Sequence, residues 1–322
     1  MCSSDLQGLH DAGPDDAGAG GGPLGAALDD LLTAHPGIAD HLVRGASGLT
    51  PGLLVPGSAG LLAGLYAPGH GVSTPRDDLA PAGGSRTPTT VADLLDELDE
   101  VGALAGEAPG TIEVQTLRGS DGVRHVVYLP GTDDMTTLPW TRDGDVRDMG
   151  ANLELLAGHP TAYGEGLAQA LQQAGVGAGD PVLLVGHSQG GLLAGALAAG
   201  GGAGLPGHLV GAVTVGAPLG VTPSLPDGVE VLALENSHDV VPHLDGAPNA
   251  DQTAMVTVTG DAGGHDAASA HAVGTYGPLA AAVDASGDPS IIGALGAFHG
   301  AGFLDPGATA SSQIFQIVRT DR

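Results

Sequence analysis

The sequence contains no lysine, and its nine arginines stand against 37 aspartates and glutamates. The formal net charge is −28 and the pI is about 4.3. A chain so poor in cations is badly suited to neutralising phosphates, which argues against nucleic acid as a partner. The same deficit argues against electrostatic docking on an anionic membrane. The single cysteine, Cys2, excludes an internal disulfide and a cysteine-based zinc site. Long apolar runs are also missing. The most apolar stretches are Leu49–Tyr66, broken by Pro51 and Pro56, and Pro181–Ala199, which carries His187, Ser188 and Gln189 in its middle. Neither reads as a membrane span. The first residues lack the basic and apolar regions of a signal peptide, so a cytoplasmic location is the expectation, with export left open. Aromatics are scarce, with three Phe, four Tyr and one Trp. Together with the missing lysine, this reads as GC-rich coding bias, with a salt-adapted acidic surface as the rival explanation.

What the chain has instead is small and apolar. The 57 glycines and 23 prolines make up about a quarter of 322 residues, close to low-complexity composition. A hydrophobic fraction of 42% with periodic apolar runs argues for a folded core. The length fits one large domain with extensions, or at most two domains.

Residues 1–22 read as a disordered Gly/Asp-rich segment, and 23–110 as a helical extension or cap packed on a core. Within the extension, Pro23–Ala34 places Leu24, Leu28, Leu31 and Leu32 on one helical face. Leu49–Pro68 predicts short helical turns, either as a lid or as ordinary packing. His70–Pro88 reads as a polar loop. Thr89 or Thr90 can cap a helix running to Ala105. From Thr111 the character changes. Ile112–Leu117 and Val123–Leu129 flank Gly119–Gly122 as a hairpin. Arg147–Gln173 reads as a helix, Val182–Gly186 as a buried strand and Gln189–Ala199 as a helix. Leu209–Val215, Val229–Leu234 and Thr253–Thr259 read as strands, His271–Ala285 as a helix and Ser312–Arg319 as an edge strand. This alternation over 111–322 predicts an α/β domain with a mostly parallel sheet covered by helices on both faces.

The strongest chemical signal is Gly186-His-Ser188-Gln-Gly190-Gly191, preceded by the apolar run Val182–Val185 and followed by a helix-forming run. G-x-S-x-G between a strand and a helix is the pattern of a nucleophile elbow. Ser188 would sit on a tight, strained turn. The glycines would leave room where a Cβ would clash. The Gln189 N–H would face a developing oxyanion at the positive end of the helix. A serine hydroxyl needs an imidazole base, and the base needs an acid to fix its tautomer. Asp239 follows the strand at Val229–Leu234, with Asp251, Asp261 and Asp266 as alternatives. His265 and His271 follow the strand at Thr253–Thr259, and both are candidates for the base. His238 and His243 read as solvated or supporting, and His187 as packing beneath the elbow. Trp140 reads as a pocket wall or as cover for the sheet edge. No H-E-x-x-H or comparable ligand spacing occurs, so no metal and no cofactor is expected.

In this order the motifs resemble the lipase class 3 branch of the α/β hydrolases. The matching segments are Gly186–Gly191 at the elbow, Gly216-Ala217-Pro218 after a strand, Asp239-Val-Val-Pro242 and His271 ahead of Tyr276. The resemblance covers roughly 111–285. In that family an R-G-T or R-G-S turn contributes to the oxyanion hole, and here the segment is Pro130-Gly131-Thr132, with proline in place of arginine. The resemblance implies an α/β-hydrolase fold and a catalytic set of Ser188, Asp239 and His271, with Gln189 and Thr132 as oxyanion donors. It implies cleavage of lipid or acyl esters through an acyl-serine. Thioesterase and acyltransferase chemistry on the same residues are the nearest alternatives, and a catalytically inactive hydrolase-fold binding module is the alternative from another class.

Overall fold

The computed structural model describes residues 56–264 and 266–321. The expectations for residues 1–22 and Pro23–Ala34, the first part of Leu49–Pro68, and His265 lie outside them. One eight-stranded sheet organises the described chain. Its strands are β1 (His70–Pro75), β2 (Thr111–Gly119), β3 (Gly122–Leu129), β4 (Pro181–His187), β5 (His208–Val215), β6 (Glu230–Asn236), β7 (Met255–Gly260) and β8 (Thr309–Thr320). Their spatial order is β1-β8-β2-β3-β4-β5-β6-β7. Strands β3 to β7 are mutually parallel, and the β1-β8-β2-β3 side is antiparallel.

The helices are α1 (Pro56–Ala63), α2 (Val91–Ala103), α3 (Met149–Leu156), α4 (Ala162–Gln173), α5 (Gln189–Ala199), α6 (Ala267–His271), α7 (Gly277–Asp284) and α8 (Pro289–Gly300). Strand β4 shows why both faces are covered. Val182 and Leu184 face one layer with Leu167 and Leu171 of α4 and Leu192 and Leu193 of α5. Leu183 and Val185 face the other layer, with Leu94 and Leu98 of α2, Val283 of α7 and Phe298 of α8. A strand buried on both sides needs an unbroken apolar run, which this one has. Each fully buried Leu or Val contributes about 1.5–3 kcal/mol. Helix α2 starts on a capping box: Thr90 Oγ1 accepts from Asp93 N at 3.0 Å, and Asp93 Oδ2 accepts from Thr90 N at 3.0 Å.

Four expectations need correction. His70–Pro88 is not all loop, because β1 lies within it. That strand is half exposed and its neighbour in the sheet is β8, so its residues lack the apolar signal of an interior strand. Part of 23–110 therefore belongs to the sheet itself. Arg147–Gln173 is two helices, α3 and α4, separated at Gly158-His159-Pro160, where proline removes a donor and disfavours helix in the residue before it. His271–Ala285 is divided as well: α6 ends at His271, Ala272 turns extended (φ −62°, ψ 136°), and Val273–Tyr276 forms a 3-10 turn before α7. Strand β8 is interior, paired on both sides by β1 and β2, and the edge is β1. In the apolar N-terminal stretch, α1 packs on α3, with Ala63 and Tyr66 against Met149 and Leu153.

Candidate active site

The loops at the carboxyl ends of the parallel strands bring the candidate residues to one edge of the sheet, where an open parallel sheet leaves its crevice. Thr132 follows β3, Ser188 follows β4, Asp239 follows β6, and His271 follows β7 at the end of α6. Ser188 has φ 51° and ψ −118°, a left-handed conformation that costs a non-glycine residue about 1–3 kcal/mol. The turn is held by Ser188 N donating to Val215 O at 2.9 Å, and by Leu192 N donating to Ser188 O at 2.9 Å. The elbow glycines are sterically required. A Cβ on Gly190 would overlap the Leu129 carbonyl, and one on Gly191 would lie 2.6 Å from Ala217 Cβ.

Gln189 opens α5, so its N–H has no intrahelical acceptor and lies at the positive end of the helix. Its side chain is used elsewhere: Nε2 donates to Asp148 O at 2.8 Å. Thr132 Oγ1 accepts from Asn152 Nδ2 at 3.0 Å. The residue after it, Asp133, accepts from Arg147 Nε at 2.9 Å and Nη2 at 2.8 Å, and from Gly110 N at 2.8 Å. Arg147 is fully buried, so this bidentate pair clamps the turn bearing Thr132 onto the body of the fold.

His271 Nδ1 and Asp239 Oδ2 are 2.7 Å apart. The same oxygen accepts from Tyr276 Oη at 2.6 Å, while Asp239 Oδ1 accepts from Val241 N at 2.9 Å. One carboxylate oxygen thus fixes its own loop and the other meets the imidazole. Asp239 is 1% exposed, and a buried carboxylate requires such donors. Burial first, and then the Asp239 carboxylate, push the Tyr276 phenol up, so it stays protonated as a donor. Gly216, at φ +60°, supplies the space: a Cβ there would lie 2.9 Å from Asp239 Oδ2 and 3.1 Å from His271 Nδ1.

The other candidates fall elsewhere. Asp261 pairs with the exposed His238 at 3.3 Å, Asp266 caps α6, and Asp251 is exposed in the turn before β7. His187 does more than pack. Its Nε2 donates to the His271 carbonyl at 2.8 Å, and the two ring centroids are 4.4 Å apart. Burial, and then the neighbouring His271, hold the His187 pKa well below the ordinary histidine range, so its ring stays neutral. Trp140 is 79% exposed and does not line the cavity at the site.

The sequence does not announce Asn236 or Arg147. Asn236 Nδ2 donates to Gly263 O at 2.8 Å and Ala270 O at 2.9 Å, and Oδ1 accepts from Ala262 N at 3.1 Å. It ties the end of β6, which leads to the acid, to the segment carrying the histidine. The available signal was an amide ending an otherwise apolar strand.

Ser188, Gln189, Thr132 and His271 line one cavity of about 430 Å³, whose apolar walls include Leu98, Met149, Leu153 and Val273. That size suits a small-molecule site. Among the described residues no group of three or more His, Cys, Asp or Glu side chains is arranged to hold a metal ion, and no helix is long and apolar enough to cross a membrane. Compared with known proteins, the chain matches no protein-family model and no curated protein sequence.

Proposed function

We propose that the chain is a serine hydrolase of the α/β-hydrolase fold, resembling the class 3 lipases, which cleaves carboxylic esters through an acyl-serine. One observation carries the proposal: a strained Ser188 opens into the same cavity as an imidazole that is hydrogen-bonded at 2.7 Å to a buried carboxylate. A buried acid–imidazole contact stabilises an imidazolium and fixes the tautomer whose Nε2 is free to accept a proton.

In the acylation step, Ser188 Oγ attacks the ester carbonyl and its proton passes to His271 Nε2. The carbonyl oxygen becomes an oxyanion within reach of the Gln189 N–H and the Thr132 turn. The carbon–oxygen bond to the alcohol then breaks, and the imidazolium returns its proton to the departing oxygen. In the second step His271 takes a proton from water, the hydroxide attacks the acyl-serine, and the acid leaves as Ser188 regains its proton. Asp239 keeps its contact with His271 Nδ1 throughout.

The test is a p-nitrophenyl ester assay run beside labelling with a fluorophosphonate probe. Ser188→Ala should lower kcat by on the order of 10⁴–10⁶ and abolish labelling. Retained activity in that variant would remove Ser188 from the chemistry. A wild-type protein that neither hydrolyses esters nor takes the label would favour the binding-module alternative.

A further inference from the structure

The two edges of the sheet are finished differently. At one end β1 pairs only with β8, but its outward backbone groups are taken up by side chains of α4. Gly71 N donates to Glu165 Oε2 at 3.2 Å, and Gly71 O accepts from Gln169 Nε2 at 2.7 Å. Ser73 N donates to Gln169 Oε1 at 3.3 Å, and Ser73 O accepts from Gln173 Nε2 at 3.0 Å. Residues 165, 169 and 173 are spaced by four, so a single stripe of the helix caps this edge. A bare strand edge invites pairing with another chain, and covering it is one of the ordinary remedies.

At the other end β7 lacks such a cap. Ala254 O accepts from Val231 N at 2.8 Å, and Gly260 O accepts from Ser237 N at 2.9 Å, so the even-numbered residues turn their backbone groups to β6. Alternation points the N–H and C=O of Thr257 and Thr259 the opposite way. Among the described residues no strand or side chain pairs with these outward groups. The strand, Met-Val-Thr-Val-Thr-Gly, also has no proline, no charge and no bulge, the other devices that blunt an edge. This edge forms one wall of a groove of about 1080 Å³, and the first turns of α8 form the other. The charged side chains lining the groove are Glu230, Asp251 and Asp288, with no arginine or histidine. Glu230 and Asp251 lie at the amino end of β7, where Val231 pairs with Met255.

An occupant of this groove has to offer donors and acceptors at the repeat of alternate strand residues, about 6.6–6.8 Å. An extended peptide does so, whereas a helix has used its backbone groups internally. Charge selects among extended peptides. A second copy carries the same −28, and pairing β7 with itself would bring two sets of acids together. We propose that β7 and α8 form a docking groove for an extended segment of another protein, rich in lysine or arginine, which adds to the sheet beside β7 and places its cations at Glu230, Asp251 and Asp288. The groove shares no lining residue with the cavity at Ser188, so this interaction does not rest on the hydrolase function proposed above.

The probe is a fluorescent peptide of alternating lysine and threonine, with an alternating glutamate–threonine peptide of the same length as control. Binding is followed by anisotropy, and amide hydrogen exchange is measured on the full chain. The lysine peptide should bind at least about tenfold more tightly than the glutamate peptide, by an amount that shrinks as salt is added. It should slow exchange at Thr257 and Thr259 by at least about tenfold, because those amides gain partners. Thr257→Pro removes an outward donor without touching the ladder to β6 and should weaken the lysine peptide by at least about tenfold, with the far-UV circular dichroism unchanged. Should that variant fail to fold, Glu230→Gln/Asp251→Asn decides, by abolishing the preference for lysine over glutamate. Slow exchange at Thr257 and Thr259 in the free protein, equal binding of the two peptides or binding of neither overturns the proposal. So does a dimer in sedimentation that Thr257→Pro dissociates, since a second copy would then hold the edge.

Discussion

Replacing Asp239 with asparagine changes one atom and leaves the volume nearly constant, yet the local donors dictate a large effect. Asp239 Oδ1 accepts from Val241 N at 2.9 Å, while Oδ2 accepts from Tyr276 Oη at 2.6 Å and meets His271 Nδ1 at 2.7 Å. An amide has one acceptor oxygen and one NH₂. Turning the NH₂ towards Val241 N would oppose two donors in a site that is 1% exposed. The amide oxygen is therefore held at Val241, and the NH₂ faces Tyr276 and His271. The tyrosine hydroxyl can rotate and accept. The imidazole must then accept at Nδ1, which puts its proton on Nε2, the atom that removes the Ser188 proton in the proposed mechanism.

A base locked in the wrong tautomer costs about 10⁴ in kcat, or roughly 5.4 kcal/mol at 1.36 kcal/mol per decade. The assay is butyrate ester hydrolysis at pH 7 with thermal unfolding measured on the same preparation. The expected outcome is a loss of about four decades with the Asp239→Asn variant still folded. A loss below tenfold in a folded variant would show that Asp239 does not govern the tautomer of His271, and the catalytic assignment would fail with it.

Gly216→Ala should lower kcat/KM by roughly 10²-fold, since its methyl group lies 2.9 Å from Asp239 Oδ2 at φ +60° and must displace the acid or the base; activity within twofold of wild type contradicts this. Tyr276→Phe removes a hydrogen bond to a buried carboxylate, about 1.5–3 kcal/mol, and should lower Tm by several degrees in calorimetry; an unchanged Tm would mean that the phenol contributes nothing. Burial, and then the nearby Glu97, raise the Glu113 carboxyl well above its ordinary 4.5, so the fold keeps a proton that the unfolded chain releases, and this stabilisation is complete below pH 4.5 and lost as pH rises. Glu113→Gln should therefore flatten the decline of Tm as pH rises above 4.5, and a variant declining as steeply as wild type refutes the linkage.

The parts of this site that were legible in the sequence are those whose physical requirements are local. A buried strand, a turn needing glycines at fixed offsets and a helix N-terminus all fall within Val182–Ala199, so the elbow could be read from one short segment. The helix limits of α5, Gln189–Ala199, follow from the same run. The edge strand β1 was illegible because a strand paired on one side needs little apolar content, and its Gly71 reflects contact with the Ala162 carbonyl of α4, 91 positions away in the chain. The break between α3 and α4 was legible in principle, since Pro160 marks it.

What surrounds the proposed catalytic set is of another kind. Asp133 reads as a loop acid until Arg147 is seen against it, and Asn236 as a strand end until its amide is seen to bridge to Gly263 and Ala270. His187 illustrates the limit most directly. Its neighbours in sequence explain a residue packed under an elbow, but its hydrogen bond goes to the His271 carbonyl, which is exposed only because α6 ends there and Ala272 turns extended. A continuous helix through 271–285, as the apolar pattern suggests, would bind that carbonyl internally and leave the His187 Nε2–H without this acceptor. The break after His271 thus does two things at once: it aims the imidazole across the sheet edge at Asp239, and it satisfies the ring that lies beneath.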